Sequence, residues 1–522
     1  MAKTKKFTRR HFIQLAGASG ATTVIAACTS QPAPSAVAVA TKAQDGAVAT
    51  TATSIKNTVA PSVTPIPAPS TEPSDSFNPD VEIALTALES TATIFANSTT
   101  DVWRIEGKLL KGDATALQPI PDSYLAPIIR VKQGQKVRIH FNNQLTEESI
   151  IHWHGLDVPA NMDGHPQYAI DGGQTYVYEF EVRNRAGTYW YHPHPHGRTG
   201  AQVYAGMAGL FLVSDAEEAA LNLPSGAYEL PLVLQDRRFD NANELVYLGR
   251  GMMDQMMGFL GDVMLVNGKP NLAIPVETRG YRLRLLNGSN SRIYKLGWDD
   301  GSPITVIATY GGLLAKPVER PYVTLAPAER VEFWVDFGDR PLNSSLKLIN
   351  LPFSAGEVGS GEFPIVAFNI EKTATEQPTL PTVLSAPALL SAANASKNRE
   401  VVLQMKMRQG WTLNGRTFEM TGVANDEKVK ANSLEIWEFI NQTGSGGGGG
   451  MGMGGGMMGS LPHPIHMHGE SFQVIERSID NNGRAAWEDL SAGFVDEGWK
   501  DTVLVMPGER VKVLRRFGEF TG

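Results

Sequence analysis

Three short stretches carry eight of the chain's 11 histidines: "HWHG" (His152, His154), "HPHPHG" (His192, His194, His196) and "HPIHMHG" (His463, His466, His468). Imidazole at this density asks for a metal ion. In an extended strand residues i and i+2 share a face. His152 and His154 therefore point the same way, as do His192 and His194, and His466 and His468. His463 stands at an odd offset from His466 and should aim elsewhere. The spacing predicts two destinations, one fed by three histidine pairs and a second fed by His463. Six converging imidazoles exceed the four ligands of a zinc ion. They suit a cluster of ions that prefer nitrogen, and an imidazole-rich set favours copper. A single H-x-H pair on a surface arises easily by chance. Three such pairs in strand-like context, each followed closely by Gly, do not. His140 and His165 read as ordinary polar or turn histidines.

Methionine forms two runs, Met252, Met253, Met256 and Met257 in "GRGMMDQMMGFLGD", and Met451, Met453, Met457 and Met458 in "GSGGGGGMGMGGGMMGS". Thioether is a soft ligand suited to Cu(I). The first run could equally pack a core. The second is too rich in Gly to do so, and reads as a flexible linker or a copper-collecting loop just ahead of His463.

The elements that must position these groups are strands. Short alternating runs bounded by Gly, Pro, Asn and Asp recur: "VRIHFNN", "TYVYEFEV", "GTYWYHPHPHG", then "YRLRLLNGSN", "ERVEFWVDFG", then "REVVLQMKM", "LEIWEFIN", "KDTVLVMPGERVKVLRRFG". Long amphipathic helices are scarce, and "DAEEAALNL" is at best one short helix. The runs fall into three blocks, about 78–215, 228–372 and 398–522, read as three β-sandwiches. Pro-rich connectors mark the joints.

The bulk numbers agree with this picture. A length of 522 residues suggests roughly three domains. A composition of 42% hydrophobic and 19% charged residues can bury large cores. The net charge of −8 argues against a nucleic-acid binder. Residues 1–28 look like a twin-arginine export signal, with Arg9 and Arg10 ahead of a modest apolar run. Cys28, the single cysteine, closes "IAAC" as in a lipoprotein box. Residues 29–77, rich in Ala, Thr, Ser and Pro, read as a disordered stalk. No spanning helix is expected. The mature chain should lie in the periplasm or on the cell surface, touching the membrane only through a lipid at Cys28.

"HWHGLDVPANMDGHPQ", "GTYWYHPHPHGRTGAQVYAGMAGLFLV" and "HPIHMHGE", with "YRLRLLNGSNSR" and "GWKDTVLVMPGE", resemble the multicopper oxidase family. That family includes laccases, bilirubin oxidase-like enzymes and bacterial cuprous oxidases. The resemblance implies an all-β fold of three consecutive cupredoxin-like Greek-key domains, the third incomplete. It also implies four copper ions, with O2 as acceptor and Cu(I) or a phenol as reductant. His152 and His466 would hold the type 2 copper. His154, His192, His194 and His468 would serve the type 3 pair, and His463 the type 1 copper. Asp163, in "NMDGHPQ", matches the acidic residue that orients water and passes protons, although an aspartate before Gly164 could simply make a turn. His196 would stand behind the ligands.

The family's fourth motif, H-C-H-x-x-x-H, does not occur: no histidine follows His468 and no cysteine follows Cys28. Two readings follow. The 522 residues are a truncated part of a longer oxidase, or they form a copper-binding extracytoplasmic lipoprotein without oxidase activity. A scaffold relative without copper is disfavoured by seven retained ligand positions. Without the type 1 cysteine the chain as given is expected to be inactive.

Overall fold

The computed structural model describes residues 71–354, 359–406, 410–442 and 461–521. The export signal, Cys28, most of the stalk and the glycine–methionine run before His463 lie outside them. The described chain is built from strands, as the alternating runs predict, and its longest helix is Arg484–Ser491. Among the described residues no helix is long and apolar enough to cross a membrane.

Six sheets follow one another as three pairs. The first pair takes its strands from Val81 to Ser214. Its four-stranded sheet runs Thr100–Lys111, Val81–Ala92, Lys136–Asn143, Thr175–Glu181. Its five-stranded sheet runs Leu117–Gln118, Ile128–Lys132, Gly209–Ser214, Gly187–Pro193, Ile151–His154. Period-two alternation explains the core between them. Val81, Ile83, Leu85 and Ala87 point inward from one strand, and Val137, Ile139 and Phe141 from its parallel neighbour. They meet Trp153, Tyr189, Tyr191 and Phe211 from the opposite sheet. The second pair has seven and five strands between Glu229 and Lys372, packed around Leu232, Leu283, Val306, Phe333 and Phe368. The third has a six-stranded sheet and a two-stranded one, His463–His466 with Thr502–Val505, around Val401, Phe439, Phe472, Val503 and Val513.

The first two pairs are locked by buried charge. Arg282 and Arg284, two apart on Gly280–Asn287, share a face. Arg284 Nη1 donates to Glu332 Oε1 at 2.6 Å and Nε to Glu229 Oε2 at 2.9 Å. Arg282 Nε donates to Glu332 Oε2 at 2.6 Å and Nη2 to Glu218 Oε1 at 2.5 Å. Thr188, from the strand that carries His192, donates to Glu332 Oε1 at 2.7 Å. Desolvation opposes the charge on Arg284, and its glutamates more than offset it, raising its pKa. Breaking a buried network by removing one partner leaves an uncompensated charge, which costs about 3–5 kcal/mol. Arg284→Met should therefore lower the unfolding free energy by that amount in urea denaturation. A loss below about 1 kcal/mol would mean that water already screens the cluster.

Candidate metal centre

Strand Ile151–His154 lies antiparallel to Gly187–Pro193. His152 stands directly across from His192, and His154 across from Trp190. Opposed residues share a face, so one rung places imidazoles of the first two clumps side by side. His194 follows just past the strand end, its N–H bonded to the Ile150 carbonyl at 2.8 Å. The third block supplies His466, paired with Thr502 on the two-stranded sheet, and His468 just beyond. His468 stacks on His152 at 3.9 Å between ring centroids, and His466 on His154 at 3.6 Å. His152 lies 5.3 Å from His192 and 5.5 Å from His194, and His194 5.2 Å from His468. Six of the seven histidines singled out by spacing thus meet between the first and third blocks.

The ring nitrogens divide into outer and inner. His152 Nδ1 lies 2.7 Å from the Asp163 carbonyl, His192 Nδ1 2.9 Å from the Pro193 carbonyl, and His466 Nδ1 2.8 Å from the Asp501 carbonyl. His468 Nδ1 is 2.6 Å from Asp163 Oδ2. His154 Nε2 is 3.3 Å from Asp501 Oδ1 and 3.2 Å from Thr502 Oγ1. Carbonyl and carboxylate oxygens only accept, so the outer nitrogens carry the N–H. A neutral imidazole has one such hydrogen, and its inner nitrogen is then a bare lone pair. His154 Nδ1 and His192 Nε2 face each other at 3.4 Å, as do His152 Nε2 and His466 Nε2. With no hydrogen between them, these pairs are repulsive until a cation lies among them. The residues therefore fit copper. Two groups bring three ligand atoms within 4.8 Å: His152, His154 and His466, and His152, Asp163 and His468.

Burial keeps the rings neutral and ready to ligate. It drives His154 and His192 well below the ordinary histidine value, His194 to about 3 and His466 to about 4, with neighbouring imidazoles adding to the effect. Asp163 follows the short turn Ala160–Met162. Gly164 lets that turn approach His152: a Cβ there would meet the Ile151 carbonyl oxygen at 2.0 Å, at a φ of +80°. Burial would raise the Asp163 carboxyl, but His152 and His468 pull it well below the usual range. It lines a cavity of about 400 Å3 together with Asp157, His468, Glu470 and Arg515. Asp501, which touches His154 and His466, escaped the sequence reading. Its only signal is a carboxylate inside the apolar run "WKDTVLV".

His463 aims away, as its odd offset predicts. Its ring meets Trp411 edge-on at 4.2 Å, and its Nε2 is buried without a partner. It lines a second cavity of about 200 Å3 with Met256, Met257, Asn290 and Trp411. The first methionine run is thus a short helix, Met252–Met257, above His463. Met252 and Met253 are 73% and 59% exposed, which excludes a core role for them. Buried Asp254 anchors the helix to Arg238 at 3.1 Å and Arg250 at 2.6 Å. His196 does not stand behind the ligands: the strand stops at Pro193, and His196 is exposed, 5.3 Å from Phe418. His140 is bound to Glu82 at 2.8 Å, and His165 caps a turn by accepting from Gln167.

Family models described as multicopper oxidase match residues 101–218 and 393–519. The chain is 32% identical to "Multicopper oxidase mco" of Staphylococcus aureus over 391 residues, 74% of this chain and 75% of that protein. It is 30% identical to "Cell division protein FtsP" of Escherichia coli over 420 residues, 80% and 82%. The crystal structure of the McoA multicopper oxidase from Aquifex aeolicus superposes with a TM-score of 0.71 at 34% identity, covering 85% of this chain and 91% of that one.

The depressed histidines fix the sign of an acid effect. Below the ordinary value of 6.5 the unfolded chain takes up protons that His466 refuses until about pH 4. Stability of the metal-free protein should therefore fall as pH drops through that window. The urea midpoint should be lower at pH 5 than at pH 7, and His466→Gln should shrink the difference. An unchanged difference in that variant would show that the ring is not held neutral.

Proposed function

The chain belongs to the multicopper oxidase family, and on that footing we propose that the six converging histidines hold its oxygen-reducing coppers. Copper cofactors, oxidase chemistry and O2 as acceptor come with the family. The finer assignment rests on the inward lone pairs of His154 against His192 and His152 against His466. His152 and His466 take the type 2 position, and His154, His192, His194 and His468 serve the type 3 pair. His463, alone beside Trp411, serves the type 1 copper. When bound, copper supplies the one-electron steps that carry O2 to water. The protein's own residues hold geometry and move protons. Asp163 bonds the outer nitrogens of His152 and His468 and lines the 400 Å3 cavity, which supports a role in orienting water and passing protons inward.

The reductant we propose is Cu(I), with phenols also accepted, and the carrying observation is the pair Met256 and Met257 in the cavity that His463 lines. Met451, Met453, Met457 and Met458 would add to this collection, and they lie outside the described residues. The chain acts outside the cytoplasm, exported by the twin-arginine signal and tethered through Cys28. A second reading, copper binding as a lipoprotein without turnover, is favoured by two observations. The one cysteine is Cys28, and no cysteine is among the described residues that line the cavity of His463. The 30% identity to a protein named for cell division rather than for oxidation supports the same reading.

Titrating the metal-free chain with Cu(II) tests the site. Wild type should bind more than one copper, and His154→Ala with His466→Ala should weaken binding at least tenfold to a hundredfold. Wild-type copper content in that variant would sink the assignment. Oxygen consumption with Cu(I) or a phenol separates the readings, since copper without consumption supports the second. For the reductant, Met256→Leu with Met257→Leu conserves volume and should weaken Cu(I) binding about tenfold in chelator competition. Cu(II) at the histidine cluster should be unaffected. Equal Cu(I) affinity in both proteins would remove the thioethers from the substrate path.

A further inference from the structure

Asp501 and Arg330 form a fully buried bidentate ion pair. Arg330 Nη1 lies 2.9 Å from Asp501 Oδ1 and Nη2 2.6 Å from Oδ2, and neither side chain is exposed. Arg330 opens a strand of the middle block, Arg330–Asp336, and its Nε donates to the Thr188 carbonyl of the first block at 2.9 Å. Its guanidinium lies 4.5 Å from the centre of the Tyr310 ring. Asp501 belongs to the third block. One arginine thus joins all three.

Beyond the pair, the Asp501 side chain faces the cluster. Asp501 Oδ1 faces His154 Nε2 at 3.3 Å and accepts from Thr502 Oγ1 at 2.9 Å. Thr502 Oγ1 in turn lies 3.2 Å from His154 Nε2 and 3.3 Å from His466 Nδ1. The Asp501 carbonyl takes His466 Nδ1 at 2.8 Å and the Met467 N–H at 3.0 Å. Space for this is reserved in the first histidine motif. A Cβ on Gly155, next to His154, would meet Asp501 Oδ2 at 2.3 Å and Arg330 Nη2 at 2.9 Å.

We propose that Arg330 and Asp501 are positioning residues that fix the ring orientation and tautomer of His154 and His466, one from the first block and one from the third. Stability is a poor reason for such a pair, because a buried ion pair does no better than apolar residues of similar volume. Direction is a better one. A guanidinium fork holds a carboxylate in one plane, and that plane decides which nitrogen of His154 carries hydrogen. With Nε2–H committed to Asp501, Nδ1 is left bare toward His192. His466 Nδ1 meets the Asp501 backbone carbonyl, and the carboxylate reaches the same nitrogen through Thr502 Oγ1, which leaves Nε2 bare toward His152. The middle block, which contributes none of the seven histidines, would then act on the centre through one side chain.

The inference rests on the copper reading, and the full 522-residue chain tests both apart. Arg330→Met with Asp501→Leu removes the pair without leaving a charge unpaired. It should unfold at the wild-type urea midpoint yet bind Cu(II) tenfold to a hundredfold more weakly. Long-range 15N–1H spectra of the metal-free protein should show one tautomer of His154 in wild type and a mixture in the variant. Arg330→Lys keeps the charge and loses the fork, and should show the same mixture with a smaller affinity loss. Wild-type affinity and a single tautomer in a folded variant would overturn the proposal, and so would failure of both variants to fold, which would assign the pair to stability. Absence of copper binding by wild type would instead overturn the reading of the centre itself.

Discussion

An imidazole has two nitrogens, and only the one without hydrogen can meet a metal. A neutral ring packed against others therefore calls for an oxygen at its outer nitrogen. His194 Nδ1 is buried without a partner, and for the other five, His152, His468, His192, His466 and His154, the oxygens of Asp163, Pro193 and Asp501 supply it. They set the tautomers, and the tautomers turn bare lone pairs on one another at 3.4 Å. Without a cation that arrangement is unfavourable. The fold holds it because the surrounding sheets bury enough apolar surface to outweigh it.

The oxygens come from unlike places, and this ties the centre to the whole molecule. Asp163 sits in a turn that only a glycine at 164 lets approach the first histidine strand. Asp501 lies in the strand entry that pairs His466 with Thr502, and is gripped from the middle block by Arg330. The Arg282–Arg284–Glu332 cluster ties Thr188, on the strand of His192, to that same block. Two buried charge networks thus set the spacing at which histidines of the first and third blocks can share an ion.

What could be read from sequence, and what could not, divides along chain distance. The period of a strand put His152 with His154 and His466 with His468, and the odd offset sent His463 to Trp411 and Met256. These are local facts, decided within a few residues. Arg330 and Asp501 are 171 residues apart, and neither has a repeat or motif of its own. The same holds for Trp190, 4.3 Å from His192, which reads as one more buried aromatic. His196 shows where the local rule stops. Period two holds only while the chain is extended, and prolines at 193 and 195 end the strand. His194 still reaches the centre because its N–H is fixed by Ile150, whereas His196 turns to solvent.

The two destinations of "HPIHMHG" also explain why one short strand can serve two sites. His463 and His466 are three apart, so they leave opposite faces of the same four-residue strand. One face looks to the cluster and the other to the cavity under the methionine helix. Pairing with Thr502–Val505 holds the strand rigid between them. The register that brings Thr502 to His466 also brings Val505 to His463, so a slip of one residue would turn both imidazoles away from their cavities at once. Asp501 lies beside that register, its carbonyl bound to both the Met467 N–H and His466 Nδ1. The carboxylate that Arg330 holds is thus one residue from the pairing on which both histidine positions depend.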